Sequence, residues 1–205
     1  MKKNRGILQL NFCAIGVMVA ILVIAQHYGL SASLLFLPPP SPYPVGERLF
    51  TYTFQILCAV PGVVCAFTWA LLHKLQPGAK INRFMLASAL ITGGFLLNEI
   101  YRIHIIFLLL GVPKLVTCSI YAVAVGLYGW GFRNFWRSTP YPLLMWGMGL
   151  LAFGIAIDTL QPGGHEISVF LEGIPKVLSE VNVVLYFWIT CHREIRIYLS
   201  QKKLN

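Results

Sequence analysis

Charged residues in this chain are gathered into short clusters, and between the clusters run long stretches without a single Asp, Glu, Lys or Arg. Residues 6–46, 49–73, 84–98, 115–132, 138–157 and 181–192 are all of this kind. Such a stretch must satisfy its own backbone polar groups if it leaves water, and the helix is the element that does so within one segment. Each bilayer crossing takes about 20 mainly apolar residues. Charged residues make up 11% of the 205 positions and apolar ones 57%, whereas a soluble domain carries about 25% charged residues. That balance excludes a disordered chain, a soluble enzyme and a nucleic-acid-binding module, in spite of a formal net charge of +9. The expected fold class is an all-α integral membrane protein with six transmembrane helices in a single domain. Six spans would use about 120 residues and leave about 85 for loops and ends, too few for a separate soluble domain.

The expected spans are residues 7–26, 49–72, 84–102, 113–132, 142–160 and 175–191. The first reads as a retained span, because its apolar core is longer than the 7–15 residues usual in a secretory signal; Ser31-Ala32-Ser33 is the site at which a signal peptide would be cleaved. Pro38-Pro39-Pro40-Ser41-Pro42-Tyr43-Pro44 cannot be helical and reads as a stiff external loop. Pro61-Gly62 marks a kink in the second span. Residues 103–112 are nearly all apolar, so they either prolong the third span into one tilted helix or lie in the interface as a lid. The run Phe132-Arg133-Asn134-Phe135-Trp136-Arg137 reads as an aromatic and basic headgroup anchor.

Lys and Arg fix the orientation. Lys2, Lys3, Arg5, Lys74, Lys80, Arg83, Arg133, Arg137, Arg193, Arg196, Lys202 and Lys203 fall on one side, and only Arg48, Arg102, Lys114 and Lys176 fall on or near the other. The positive-inside rule then makes both termini cytoplasmic, N-in and C-in, as in a bacterial inner-membrane protein. The five cysteines have no metal-binding spacing and read as small buried hydrophobes.

Two segments repeat: Gly111-Val112-Pro113-Lys114-Leu115-Val116 and Gly173-Ile174-Pro175-Lys176-Val177-Leu178. Either the two converge on a common helix-start signal, or spans three and four form a hairpin duplicated in spans five and six. A weaker pairing sets Ser41-Pro42-Tyr43-Pro44 and Leu75-Gln76-Pro77-Gly78 against Thr139-Pro140-Tyr141-Pro142 and Leu160-Gln161-Pro162-Gly163, in the sense of an inverted repeat.

Charges within spans are costly and mark functional sites by default. Five gather near the outer ends of spans three, five and six: Glu99, Arg102, Asp158, Lys176 and Glu180. Glu99 and Arg102 stand at i, i+3, where they can pair. Glu180, five residues past Pro175 among Val177, Leu178, Val181 and Val183, is the least explained by solubility, and Lys176 or Arg102 is its expected partner. The competing reading of each pair is a satisfied ion pair that fixes helix register. His104 and His165 lie on the same side, but no metal-ligand spacing and no cofactor signature is present. Three function classes follow. The first is binding or permeation of a small ion or polar ligand in an outward polar pocket. The second is a structural or assembly subunit, held by a membrane partner or by a second copy of the chain. The third is an intramembrane hydrolase or transferase using Glu99, His104, Asp158 and Glu180. The lipid bilayer is the partner common to all three.

Reporters fused after Asn205 and inserted between Pro38 and Pro44 are expected to read opposite sides of the membrane. Signals from the same side would overturn this topology.

Overall fold

The computed structural model describes residues 2–29, 32–36, 48–160 and 165–202, and all of its regular structure is helical. The helices are α1 (Lys2–His27), α2 (Leu49–Leu75), α3 (Lys80–Tyr101), α4 (Ile103–Leu109), α5 (Lys114–Gly131), α6 (Arg133–Trp136), α7 (Tyr141–Leu160) and α8 (His165–Lys202), with a 3-10 turn at Ala32–Phe36. The Pro-rich loop at 38–44 and the turn at 161–164 lie outside the described residues, and with them most of the inverted-repeat pairing.

Five helices are long and apolar enough to cross a membrane: α1, α2, α3, α7 and α8. The expected fourth span is α5, whose apolar part, Leu115–Gly131, is shorter. At 1.5 Å per residue its 18 residues rise about 27 Å, close to the roughly 30 Å of a hydrocarbon core. Pro61 sits inside α2, which runs on through it as one helix.

The chain divides into two compact units. The first comprises Met1–Leu57 and Leu143–Val183, the second Cys58–Pro142 and Val184–Asn205. In the first, α7 meets α8 at two glycines a heptad apart. A Cβ on Gly147 would stand 3.0 Å from the Ser179 carbonyl oxygen and 3.0 Å from Val183 Cγ2, and one on Gly154 would stand 3.2 Å from the Glu172 carbonyl oxygen. Small residues at that spacing let two backbones approach closely. Gly149, in the same run, has nothing within 4 Å and points elsewhere. Phe36 of the 3-10 turn stacks on Phe50 at 4.9 Å and meets Phe170 edge-on at 5.7 Å. Its ring lies over Gly173, where any Cβ would collide with it.

The second unit is centred on Phe84, fully buried, with Phe135 at 4.4 Å, Phe132 at 5.4 Å and Tyr128 at 5.8 Å between ring centroids. The Tyr128 hydroxyl bonds Ser88 Oγ at 2.7 Å, and the Tyr186 hydroxyl bonds Thr139 Oγ1 at 3.0 Å. This corrects the headgroup-anchor expectation for 132–137. Phe132, Phe135 and Trp136 turn onto Phe84 and Tyr128, while Arg133 is exposed and stacks over Trp130 at 5.1 Å. Cys58, Cys65 and Cys191 are buried as expected, whereas Cys13 is exposed.

The third span ends at Tyr101, beside its expected bound at 102: Arg102 takes a left-handed conformation, φ 51° and ψ 44°, which rules out the alternative of one continuous helix through 103–112. The duplicated hairpin also fails. Gly111, at φ 84°, closes α4 in a Schellman turn: Val112 N–H donates to the Phe107 carbonyl at 2.9 Å and Gly111 N–H to that of Leu108 at 3.0 Å. Pro113 then caps α5. Gly173 and Pro175, by contrast, lie inside α8. There the glycine makes room for Phe36, and the proline leaves only the Leu171 carbonyl without its helical donor. The matching sequences therefore serve different geometries.

Gly147→Leu should lower the melting temperature in detergent, by the equivalent of about 1–3 kcal/mol or more, since it overpacks the α7–α8 contact. Gly149→Leu should stay within about 0.5 kcal/mol of the parent. Equal behaviour of the two variants would mean that Gly147 does not face α8.

Candidate functional site

The five candidate residues divide between the units: Asp158, Lys176 and Glu180 belong to the first, Glu99 and Arg102 to the second.

In the first unit, Asp158 stands in the last turn of α7 and is half-buried. Lys176 Nζ meets Glu172 Oε1 at 2.5 Å, an i, i+4 ion pair with the acid on the N-terminal side, the better orientation on a helix. Glu180 is 4% exposed, between the buried Ser179 and the half-buried Val181. It faces the interior, as its cost in an apolar environment requires. Its place in the helix differs from the sequence reading. Because α8 begins at His165 rather than Pro175, Glu180 stands fifteen residues in, about 22 Å from the end. The helix N-terminus therefore gives its carboxylate no support. Ser179 Oγ, fully buried, has no hydrogen-bond partner among the described residues.

One turn from Leu178 lies a pair that the sequence reading passed over. Asn11 Nδ2 donates to Asn182 Oδ1 at 3.1 Å, and Asn182 Nδ2 donates back to Asn11 Oδ1 at 2.7 Å and to the Leu178 carbonyl at 2.7 Å. Two amides thus close a ring of hydrogen bonds between α1 and α8. The available signal was an amide at Asn11 inside the first charge-free run, with a second amide two residues after Glu180.

In the second unit the break at Arg102 is held by Asn98, which is buried. Its carbonyl accepts the Arg102 N–H, and its Oδ1 accepts the His104 backbone N–H at 3.1 Å and stands 3.2 Å from His104 Nδ1. Its Nδ2 reaches Glu99 Oε1 at 3.4 Å. The Asn98 main chain thus makes the last helical bond of α3, and its side chain caps the first turn of α4. Because Arg102 is left-handed, the simple i, i+3 geometry expected for Glu99 and Arg102 on one helix face does not apply.

No group of three or more His, Cys, Asp or Glu side chains able to hold a metal occurs among the described residues, and the side chain of His165 lies outside them. Two shallow grooves, both in the second unit, are lined by other residues. One runs along α5 past Leu115, Ser119 and Val123, and the other lies between Trp69, His73, Asn82 and Arg83.

Residues 14–191 match the family model described as "Domain of unknown function (DUF8692)", which covers most of the chain, and the protein belongs to that family. No curated protein and no solved structure matches it.

Breaking the amide ring should be measurable. Asn182→Leu strands Asn11 and should cost about 1–2 kcal/mol in a detergent unfolding titration, and adding Asn11→Leu should recover part of it. Strict additivity of the two changes would show that the side chains do not interact.

Proposed function

We propose that this protein is a multi-pass membrane protein whose first unit binds a small ion or small polar ligand at the charged stretch of α8 around Glu180, with Lys176 and Asp158 contributing. The observation that carries this reading is the burial of Glu180, 4% exposed, in the middle of a helix long and apolar enough to span a bilayer. A carboxylate in that position must hold a cation, a proton or a hydrogen-bond donor, and groups of this kind mark ion and ligand sites in membrane helices. The neighbouring Ser179 hydroxyl, buried and without a partner among the described residues, is a donor and acceptor available to the same ligand. Glu99 and Arg102 stand at the α3–α4 break, in the other unit.

Membrane placement belongs to the same proposal. Large apolar side chains stand outward along the long helices and α5, with Leu115 75% and Trp130 73% exposed. Such surfaces suit lipid and are uncommon on soluble monomers. The charge clusters favour six spans, cytoplasmic termini and a bacterial inner membrane.

A second reading, a structural or assembly subunit that contacts a membrane partner or another copy of itself, is favoured by a different observation. The Asn11–Asn182 hydrogen bonds tie α1 to α8, and the Lys176–Glu172 ion pair braces α8 along its own length.

Glu180→Gln separates the two. If Glu180 binds a cation, the wild-type melting temperature rises when NaCl replaces choline chloride at constant ionic strength. A ligand at about 100 times its Kd adds roughly 2.7 kcal/mol, and Glu180→Gln abolishes the rise with little change in its absence. If Glu180 is structural, the single variant loses about 3–5 kcal/mol of stability and the wild type shows no difference between NaCl and choline chloride. That second pattern would end the binding reading at this position.

A further inference from the structure

Arg48 immediately precedes α2, and its side chain is 5% exposed. Nη1 donates to the Tyr52 hydroxyl at 3.4 Å, one helical turn along. The other two nitrogens, Nε and Nη2, are buried and have no hydrogen-bond partner among the described residues. These two are not an arbitrary pair. They form one edge of the planar guanidinium, where two N–H bonds lie parallel, and that edge matches two oxygens of a phosphate or carboxylate.

Position sharpens the demand. A cation at the start of a 27-residue helix sits at the positive end of the macrodipole, beside backbone N–H groups that have no intrahelical acceptor. Neither the fork nor the helix end is satisfied by Arg48 alone, and an oxyanion on the fork answers both. The length and apolarity of α2 from Leu49 onward set the chemistry of that oxyanion. A helix that crosses the bilayer from Leu49 puts the preceding residue at headgroup depth, where phosphate is the abundant oxyanion.

We infer that the Nε–Nη2 edge of Arg48 is a binding site for a phosphate oxyanion, carried by a phospholipid headgroup or present as free phosphate. Phosphate on this edge of Arg48 does not depend on what Glu180 binds. The competitor for the fork is the carboxylate of Glu47, its neighbour in sequence.

The test uses the full-length protein, delipidated in a phosphate-free neutral detergent, with binding read by native mass spectrometry and by melting temperature. The probes are phosphatidylglycerol, a diacylglycerol glycoside with the same acyl chains and no phosphate, and inorganic phosphate against chloride at equal ionic strength. The expected result is at least tenfold tighter binding of phosphatidylglycerol than of the glycoside. Arg48→Lys keeps the charge but removes the fork, and should bring that ratio near one. Tyr52→Phe leaves the fork intact and should preserve the ratio, which keeps the test decisive even where Arg48→Lys does not fold. A rise in melting temperature with inorganic phosphate and no preference between the lipids also supports the site, and assigns it to free phosphate. Absence of both effects in the wild type overturns the inference, and so does a lipid preference that appears only in Glu47→Gln, since Glu47 would then fill the fork.

Discussion

Polar side chains buried among apolar helices are cut off from water, and the need to partner them inside the protein organises each unit. In the first, the Asn11 and Asn182 amides close on each other, and Lys176 closes on Glu172. In the second, Ser88 takes the Tyr128 hydroxyl, Thr139 takes that of Tyr186, and Asn98 serves three groups around one helix break. Apolar contact brings helices together without choosing a register, since one Leu-rich face slides past another at little cost. A reciprocal amide pair tolerates no such sliding, because a shift of one residue strands two donors and two acceptors. The polar contacts therefore specify the packing that the apolar surface makes favourable, and the glycines at 147 and 154 set how closely α7 and α8 lie.

The helices themselves were legible because their signal is long and redundant. Charge-free runs with clusters between them locate α2, α3, α5 and α7 to within a few residues, and no single position decides the outcome. The misreadings came where one residue decides. Pro175 reads as a helix start, yet the chain is already helical from His165, because one proline removes one hydrogen bond while more than thirty other residues support the helix. Arg102 offers no sequence cue for a left-handed turn, a conformation in which glycine is the usual residue. The cue was two to four residues away, in His104 and Asn98, and it becomes readable only when the Asn98 amide is seen to take the His104 N–H beyond the break.

The polar residues were legible as individuals and illegible as pairs. Glu99, Arg102, Asp158, Lys176 and Glu180 stand out because charge is rare in these runs, and the burial of Glu180 agrees with what its solvation cost demands. Pairing depends on side-chain direction and helix phase. Moving the start of α8 back by ten residues leaves Glu180 on the same helix but takes away the nearby N-terminus. The Phe132, Phe135 and Trp136 cluster makes the same point for apolar groups: an aromatic and basic run suits a headgroup anchor equally well until Phe84 is found in the middle of it.

Closed and open polar groups carry different information about function. In a pair such as Asn11–Asn182 the two amides serve each other, and exchanging both members for apolar residues acts on stability. An open group is a cost that the fold alone does not repay. The buried Ser179 hydroxyl and the Nε–Nη2 edge of Arg48 are open among the described residues, and they differ in strength. A hydroxyl can rotate and accept weak compensation, whereas half of a guanidinium fork is fixed in a plane and carries charge that needs an opposite charge. Arginine also cannot escape by losing its proton, as a buried lysine or carboxylate does by changing its protonation state. Of the buried polar groups in the first unit, Arg48 therefore makes the most specific demand on a ligand, and that demand is for two oxygens sharing one negative charge.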